Sequence, residues 1–276
     1  MQVAGFPGAP RAFPVDTGKV NAHGSRGASA LQLALLSDIH SNVQALEACL
    51  RHAAERGAER YAFLGDFVGY GGDPRGVVQI VADHVARGAV AIKGNHDEAL
   101  ERRDCYFNDA AQAAIDLAHL MLAPEQKQFL AGLPLIVHEF DICFAHASAA
   151  SPERWRYIDT PEAAAECADA AVASFTFCGH VHDQVLFFES GPGRMREFRP
   201  VPGTPIPLRG GRRWVALVGS VGQPRDRNPR AAYTMFDTET EPITFHRVAY
   251  DAMAAANTIR ASGLPDSLAL RLEMGI

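Results

Sequence analysis

From residue 31 onward, short apolar runs alternate with longer segments of helical periodicity. The first three runs read LQLALL, YAFLG and AVAIKG, and the helical segments after them span 43–54, 74–87 and 109–121. Apolar runs of this length, without an alternating polar face, are typical of strands that are buried on both sides in a parallel sheet. The alternation therefore predicts a βαβ build around a mostly parallel, buried sheet.

The helical segments carry sequence signals for their first turns. Ser41 and Gln44 have the spacing of a capping box. Asp73 and Thr160 each stand directly before a proline, which is typical of an N-cap residue followed by the first turn. We expect one helix to begin after each of these three signals.

After residue 134 the chain changes to shorter strand-like runs separated by tight turns. These runs read LIVHEFDICFAHAS, SFTFCGHVHDQVLFF, RWVALVGS, AAYTMFD and PITFHRVAY. They predict a second sheet that is partly antiparallel. Because two apolar sheet faces must cover one another, we expect a layered α/β sandwich, closed by a C-terminal helix between about Asp251 and Gly263.

The first 30 residues differ in texture from the rest of the chain. They mix Gly, Pro, Ala and Ser without helical or strand periodicity, so we expect residues 1–30 to form a flexible leader. We expect residues 31–276 to form a single domain with a helical insertion at about 98–131, because that stretch is long for a connection.

The insertion has a helical pattern of its own. Asn108 is well placed to cap its first helix. The stripe that should be buried on that helix consists of Ala110, Ala113, Ala114, Leu117, Ala118 and Met121. Two interpretations stay open: the insertion pads the sheet, or it forms a wall of the functional cleft in which Tyr106, Phe107 and Asn108 contact the substrate.

Composition and charge exclude several classes of protein. The 276 residues are 47% apolar and 21% charged, as in a soluble globular protein. Acids and bases are interspersed and the net charge is −6, so we expect no binding of duplex nucleic acid or of an anionic membrane. Five cysteines without a C-x-x-C pair favour reduced thiols in a cytoplasmic protein. The sequence leaves the oligomeric state open.

Polar side chains that can bind metal ions follow the strand-like runs. They are Asp38, His40, Asp66, Asn95, His96, Asp97, His146, His180 and His182. Functional groups collect at the C-terminal ends of strands in α/β sheets, so we expect these side chains to converge. Gly65, Gly94 and Gly179 precede three of the motifs and permit the tight exit that this requires. The remaining histidines, His52, His84, His119, His138 and His246, are expected to be structural.

The donor set itself indicates which ions would bind. Carboxylates, imidazoles and an amide, without thiolates, suit manganese, iron(II) or zinc. The set is too large for one tetrahedral ion, so two divalent ions that share a bridging carboxylate are expected. Two ions about 3.5–4 Å apart can hold a hydroxide and clamp the oxygens of a phosphoryl group during an in-line displacement.

The order and spacing of the motifs D-x-H, G-D-x-x-G, G-N-H-D, a lone histidine and G-H-x-H resemble the calcineurin-like metallophosphoesterase superfamily. The resemblance extends from about residue 31 to 250, and the segments 107–134 and 219–233 resemble a bacterial branch of predicted phosphodiesterases or phosphatases. It implies a four-layer α/β/β/α sandwich of two mixed sheets flanked by helices. It also implies dinuclear metal-dependent hydrolysis of phosphoester bonds, with a metal-bridging hydroxide as the nucleophile.

The resemblance implies a role for each side chain. The ligands of one ion would be Asp38, His40, Asp66 and His182. The ligands of the other ion would be Asp66, Asn95, His146 and His180. His96 would be the general acid that protonates the leaving group, Asp97 would orient its ring, and Asn95 and His96 would also contact the substrate.

Departures from relatives bear on the substrate. Protein serine/threonine phosphatases of the superfamily usually have G-D-x-V-D-R-G and G-N-H-E, whereas this chain has GDFVGYGG and GNHD. We therefore expect a small phosphoester or a nucleotide as the substrate. Arg225 either approaches a phosphate or stabilises its loop. A dinucleoside polyphosphate hydrolase and a non-catalytic binding scaffold are the alternative functions, and the presence of His96 favours an enzyme.

Overall fold

The computed structural model describes residues 31–102, 107–208 and 211–276. Its strands are β1 Gln32–Leu36, β2 Arg60–Phe63, β3 Val90–Ala91, β4 Ile136–Glu139, β5 Ile142–Ala145, β6 Phe175–Cys178, β7 Gln184–Gly191, β8 Arg194–Phe198, β9 Ile206–Pro207, β10 Trp214–Val218, β11 Ala231–Asp237 and β12 Pro242–Val248. Its helices are α1 Val43–Glu55, α2 Pro74–Ala86, α3 Asn95–Glu98, α4 Asp109–Met121, α5 Pro124–Ala131, α6 Pro161–Ala171, α7 Ala252–Ala261 and α8 Asp266–Met274. The expected leader, residues 1–30, and Tyr106 lie outside the described residues.

The strands form two six-stranded sheets, and both sheets are mixed. The first has the order β3-β2-β1-β11-β12-β9, and the second has the order β4-β5-β6-β10-β7-β8. In the first sheet β1 and β3 pair in parallel with β2, whereas β11 pairs antiparallel with both β1 and β12. The expectation of a mostly parallel first sheet is therefore right only for its first three strands.

Apolar side chains separate the structure into layers. One cluster lies between the sheets and includes Leu35, Phe144 and Phe245. A second cluster joins the outer face of the first sheet to α1 and α2, and a third joins the second sheet to α6. The four-layer α/β/β/α sandwich expected from the sequence is confirmed.

The assignment of two late strands to the second sheet is corrected. The runs AAYTMFD and PITFHRVAY form β11 and β12, which extend the first sheet, with Leu33 opposite Phe236 in the β1–β11 pair. A short strand-like run beside a tight turn indicates that the strand has an antiparallel neighbour. It does not say which sheet supplies that neighbour.

The structure tests the predicted helix starts one by one. Asp73 and Thr160 cap α2 and α6 as expected. Before α1 the capping residue is Asn42 rather than Ser41, because the side chain of Asn42 accepts a hydrogen bond from the backbone N–H of Ala45 at 3.0 Å. The helix expected between about Asp251 and Gly263 is α7, and Asp251 caps it; a second C-terminal helix, α8, follows.

The segment 98–131 contains α4 and α5, so its helical periodicity is confirmed. Asn108 caps α4, accepting a hydrogen bond from the N–H of Ala111. The fully buried face of α4 is rotated from the expected stripe and consists of Ala111, Ala114, Ile115 and Ala118. The rotation arises because α4 packs on two sides, toward the first sheet's outer cluster and toward α7 and α8. Among the described residues, no helix has the length and hydropathy that crossing a membrane requires.

Candidate metal centre

Loops from both sheets bring the expected polar side chains to one edge of the sandwich. Asp38 and Asp66 follow β1 and β2, and His146 and His180 follow β5 and β6. Asp38, Asp66 and His180 have left-handed backbone conformations, with φ of 52°, 55° and 67°. Residues other than glycine adopt this conformation at a cost, and such positions cluster at functional sites.

Two glycines allow these loops to approach each other closely. A Cβ atom on Gly179 would lie 1.8 Å from Ser37 Oγ and 2.5 Å from Asp38 Oδ2. A Cβ atom on Gly94 would lie 2.2 Å from Asp66 Oδ1. Glycine is required at both positions because any larger residue would displace a carboxylate of the site.

One group of candidate ligands consists of Asp38, His40 and His182. Their side chains are buried, and the Nε2 atom of His182 lies 3.3 Å from Asp38 Oδ1 and 3.2 Å from His40 Nε2. The Nδ1 atoms of the two rings lie 3.0 and 2.6 Å from backbone oxygens, those of Val68 and Gln223. Such carbonyl contacts fix the tautomer that leaves Nε2 free to bind a metal ion.

A second group consists of Asp66, His146 and His180. His146 Nε2 lies 3.3 Å from Asp66 Oδ2, and its Nδ1 lies 2.6 Å from the backbone oxygen of Leu64. Asn95 directly precedes His96 in the chain. The backbone N–H of His96 donates a hydrogen bond to Asp66 Oδ1 at 2.9 Å, which brings the start of α3 to this group. The structure thus joins the loops after β2, β3, β5 and β6.

Asp66 lies between the two groups. Its Oδ2 atom is 3.3 Å from His146 Nε2 and 3.8 Å from His40 Nε2. A third set of candidate ligands consists of His40, Asp66 and His96. One carboxylate oxygen is therefore within reach of imidazoles from both groups.

Several buried atoms at this site have no hydrogen-bond partner within the described part of the chain. They include Asn95 Oδ1, His96 Nδ1, His146 Nε2 and His180 Nε2. Buried polar atoms are normally paired, and exceptions require an explanation such as a bound ion. His146 and His180 lie with Asp66 within reach of a single ion. A cation there would satisfy both ring nitrogens, so these residues fit the metal ions that their chemistry implies.

Protonation states agree with that fit. Burial lowers the pKa of His180 to about 3, and it holds the pKa values of His40 and His182 well below the usual range. Neutral imidazoles keep the lone pair that a metal ion needs. Burial also opposes charge on His146, but the nearby carboxylate of Asp66 outweighs it and raises the pKa of His146 to about 9. A cation could take the place of that proton.

The ring of His96 lies beside the candidate ligands and among aromatic rings. Its centroid is 4.9 Å from that of His40, 4.7 Å from that of Tyr70 and 4.8 Å from that of Phe107. Its Nδ1 atom is buried and has no partner in the described ranges. Burial lowers the pKa of His96 to about 4.

Among the described contacts, the carboxylate of Asp97 binds backbone amides and not the His96 ring, which the resemblance implies it would orient. Its Oδ2 atom accepts hydrogen bonds from the backbone N–H groups of Asp66 and Gly94, each at 2.9 Å. Its Oδ1 atom accepts from Phe67 at 2.9 Å and from Val68 at 3.3 Å. The carboxylate is fully used by four amides, so it fastens the loop after β2 to the loop after β3.

The change Asp97→Ala is expected to destabilise the fold. Removing the carboxylate leaves buried amides without acceptors, at about 1–3 kcal/mol for each group that finds no new partner. We expect a total loss of about 2–4 kcal/mol, measured as a lower melting temperature. Asp251→Ala, which removes only the exposed cap of α7, is the control and should cost about 1 kcal/mol. An unchanged melting temperature for Asp97→Ala would contradict this assignment.

The structure also places the expected substrate contacts. Phe107 lies against His96, whereas the side chain of Asn108 is exposed and serves as the cap of α4. Arg225 is half-buried, and its Cζ atom lies 5.6 Å from the centroid of the Tyr70 ring. Of the three residues expected in the wall, Phe107 is the one that the described contacts bring to the site.

Sequence reasoning missed the aromatic residues around the centre. Tyr157 stacks on His180 with ring centroids 4.3 Å apart, and it is 55% exposed. Trp155 contacts the ring of His146 edge-on and donates from Nε1 to Glu98 Oε2 at 2.9 Å. These residues form no motif with the ligands, so only the position of Tyr70 within GDFVGYG offered a sequence signal.

A two-sheet sandwich that gathers imidazoles and carboxylates at strand ends is typical of a metal-dependent hydrolase. Residues 31–241 match the calcineurin-like phosphoesterase superfamily domain. The chain belongs to that superfamily.

The chain is similar to individual proteins over nearly their whole length. The crystal structure of a metallophosphoesterase from Sphaerobacter thermophilus is 33% identical, covers 90% of this chain and all of that one, and has a TM-score of 0.81. An uncharacterized protein from Methanocaldococcus jannaschii is 33% identical over 249 residues, which are 88% of this chain and 98% of the relative. A hypothetical protein from Pyrococcus horikoshii, 21% identical, shares the fold with a TM-score of 0.71 over 89% of this chain and 99% of that one.

Proposed function

We propose that the protein hydrolyses phosphoester bonds in a small molecule or a nucleotide with the help of two divalent metal ions. The observation that carries the proposal is the pair of buried ligand groups on either side of Asp66. Membership in the phosphoesterase superfamily supports the reaction class.

The proposed ligands follow the two groups. Asp38, His40, Asp66 and His182 would hold one ion, and Asp66, Asn95, His146 and His180 would hold the other. When bound, manganese, iron(II) or zinc ions supply Lewis acidity and lower the pKa of water. The chain contributes the burial and the backbone carbonyls that fix the imidazoles.

His96 is the proposed general acid. Burial lowers its pKa to about 4, so it would need the negative charge of a bound phosphate, which favours the imidazolium form. Its ring is held by Tyr70 and Phe107 rather than by Asp97. The proton would pass from His96 to the oxygen of the leaving group.

Hydrolysis of a dinucleoside polyphosphate is the second candidate. It is favoured by Arg225, which has no carboxylate partner within the described ranges and lies next to the aromatic ring that contacts His40 and His96. A binding scaffold without turnover is the third, less favoured candidate, since His96 is present.

A cytoplasmic location remains part of the proposal. The four cysteines that the structure describes are free and buried, and free thiols are typical of reducing compartments.

The test is to strip the protein of metal, add back manganese, iron(II) or zinc singly, and assay hydrolysis of a panel of mono- and diesters of increasing size. We expect hydrolysis to return with at least one of these metals. Elemental analysis of the active form should give two ions per chain. One ion or fewer would contradict the dinuclear centre. Two bound ions without hydrolysis of any ester would instead favour the scaffold.

A further inference from the structure

Two arginines near the candidate centre have no carboxylate partner among the residues that the structure describes. Arg225 lies in the loop between β10 and β11, and Arg271 lies in the last turn of α8; both are half-buried. By contrast, Arg213 and Arg247 each bind a carboxylate. A partly buried guanidinium without a counter-ion is costly, and an anionic ligand beside the phosphoesterase centre would offset that cost.

Arg225 is held in place from two sides. The Nη2 and Nε atoms of Arg225 donate hydrogen bonds to Gln223 Oε1 at 3.0 and 3.4 Å. The centroid of the Tyr70 ring lies 5.6 Å from the Cζ atom of Arg225. The backbone oxygen of the same Gln223 fixes the candidate ligand His182 at 2.6 Å. The residue that positions a metal ligand therefore also positions the arginine.

Arg271 lies on the C-terminal helix α8, which packs beside Tyr70. Tyr70 packs against the cluster that contains Leu268 and Leu272 of α8. The end of α8 is tied to the loop of Arg225, because the N–H of Arg227 donates to the backbone oxygen of Gly275 at 2.7 Å. Tyr70 therefore packs against both Arg225 and the helix that carries Arg271.

Tyr70 in turn contacts the centre itself, with its ring 4.7 Å from the rings of both His40 and His96. We propose that Arg225 and Arg271 form a subsite, beside Tyr70, for a second phosphate of the substrate that is not the one hydrolysed. This inference rests on the proposed function and narrows it to esters with two or more phosphates. Guanidinium groups suit such a role because they bind phosphate oxygens in a bidentate way.

The subsite can be tested by binding rather than by turnover. Calorimetry on metal-loaded protein, freed of excess metal, would compare AMP with ADP, which differ by one phosphate. The variants are Arg225→Gln and Arg271→Gln. Arg227→Gln is the matched control, because it removes the same charge from an exposed position in the loop of Arg225. Metal content after each titration shows whether ADP has removed ions.

We expect ADP to bind at least about tenfold more tightly than AMP, and each subsite variant to weaken ADP about tenfold while changing AMP less than about twofold. The control should leave both affinities unchanged. Equal binding of ADP and AMP by the unaltered protein, or equal losses for both ligands in the variants, would overturn the subsite. Discrimination of ADP without hydrolysis of any ester would leave the subsite intact and reject the proposed function.

Discussion

Replacing Asp66 with asparagine is expected to weaken metal binding at both positions of the centre. The change keeps the size of the side chain but removes its negative charge. The Oδ2 atom of Asp66 is 3.8 Å from His40 Nε2 and 3.3 Å from His146 Nε2, so both ligand groups lose a nearby negative charge. Groups that merely support a ligand typically contribute 10–100-fold to metal affinity. We therefore expect a loss of more than about 100-fold at each position, measured by elemental analysis after dialysis and by calorimetry.

His40→Ala is the comparison that gives this result its meaning. His40 lies with Asp38 and His182, and it is absent from the group of Asp66, His146 and His180. It should weaken one position strongly and the other little, so that about one ion per chain is retained. Equal effects of Asp66→Asn and His40→Ala on both positions would contradict a shared carboxylate.

The sequence predicts the placement of the candidate ligands well because that placement depends on local features. Each ligand follows an apolar run, and parallel strands deliver their ends to one edge of a sheet. The positions of Gly94 and Gly179 before two of the motifs likewise predict a close approach of loops, because such an approach requires residues without a side chain. The same reasoning gave the starts of α2 and α6.

Features that depend on long-range contacts could not be predicted in this way. The partner of β11 is β1, about 200 residues earlier, as in the pair of Ala34 and Met235. The role of Asp97 depends on backbone amides, such as those of Asp66 and Gly94, that need an acceptor where the loops after β2 and β3 pack together. Stacking of Tyr157 on His180 likewise depends on the path of the loop before α6. No short motif records such contacts, because the residues involved are chosen by packing in three dimensions.

The choice of cap before α1 shows that a motif can also be outweighed locally. Ser41 and Gln44 have capping-box spacing, but the backbone of Ser41 is left-handed, with φ of 53°. Asn42 instead caps the helix and donates from Nδ2 to the backbone oxygen of Gly222 at 3.0 Å. This second bond ties the start of α1 to the loop that carries Gln223, so Asn42 serves both the helix and the site.

His96→Ala is expected to separate metal binding from proton delivery. The variant should keep both ions if His96 acts as an acid, although His40, Asp66 and His96 also form a possible ligand set. Hydrolysis of esters with poor leaving groups, such as alkyl or nucleoside esters, should slow by roughly 10² or more, the usual scale of general acid catalysis. Nitrophenyl esters should lose less, because nitrophenolate departs without a proton.

The measurement is the rate of His96→Ala relative to the unaltered protein across leaving groups of increasing pKa, with metal content determined on the same samples. His138→Ala is the matched control, since it removes an exposed imidazole on β4 and should leave every rate unchanged. A rate loss that grows with leaving-group pKa supports the acid. A uniform loss with both ions retained would assign His96 to charge stabilisation by an imidazole among Tyr70 and Phe107. Loss of an ion would instead show that His96 is a metal ligand, as in the candidate set of His40, Asp66 and His96.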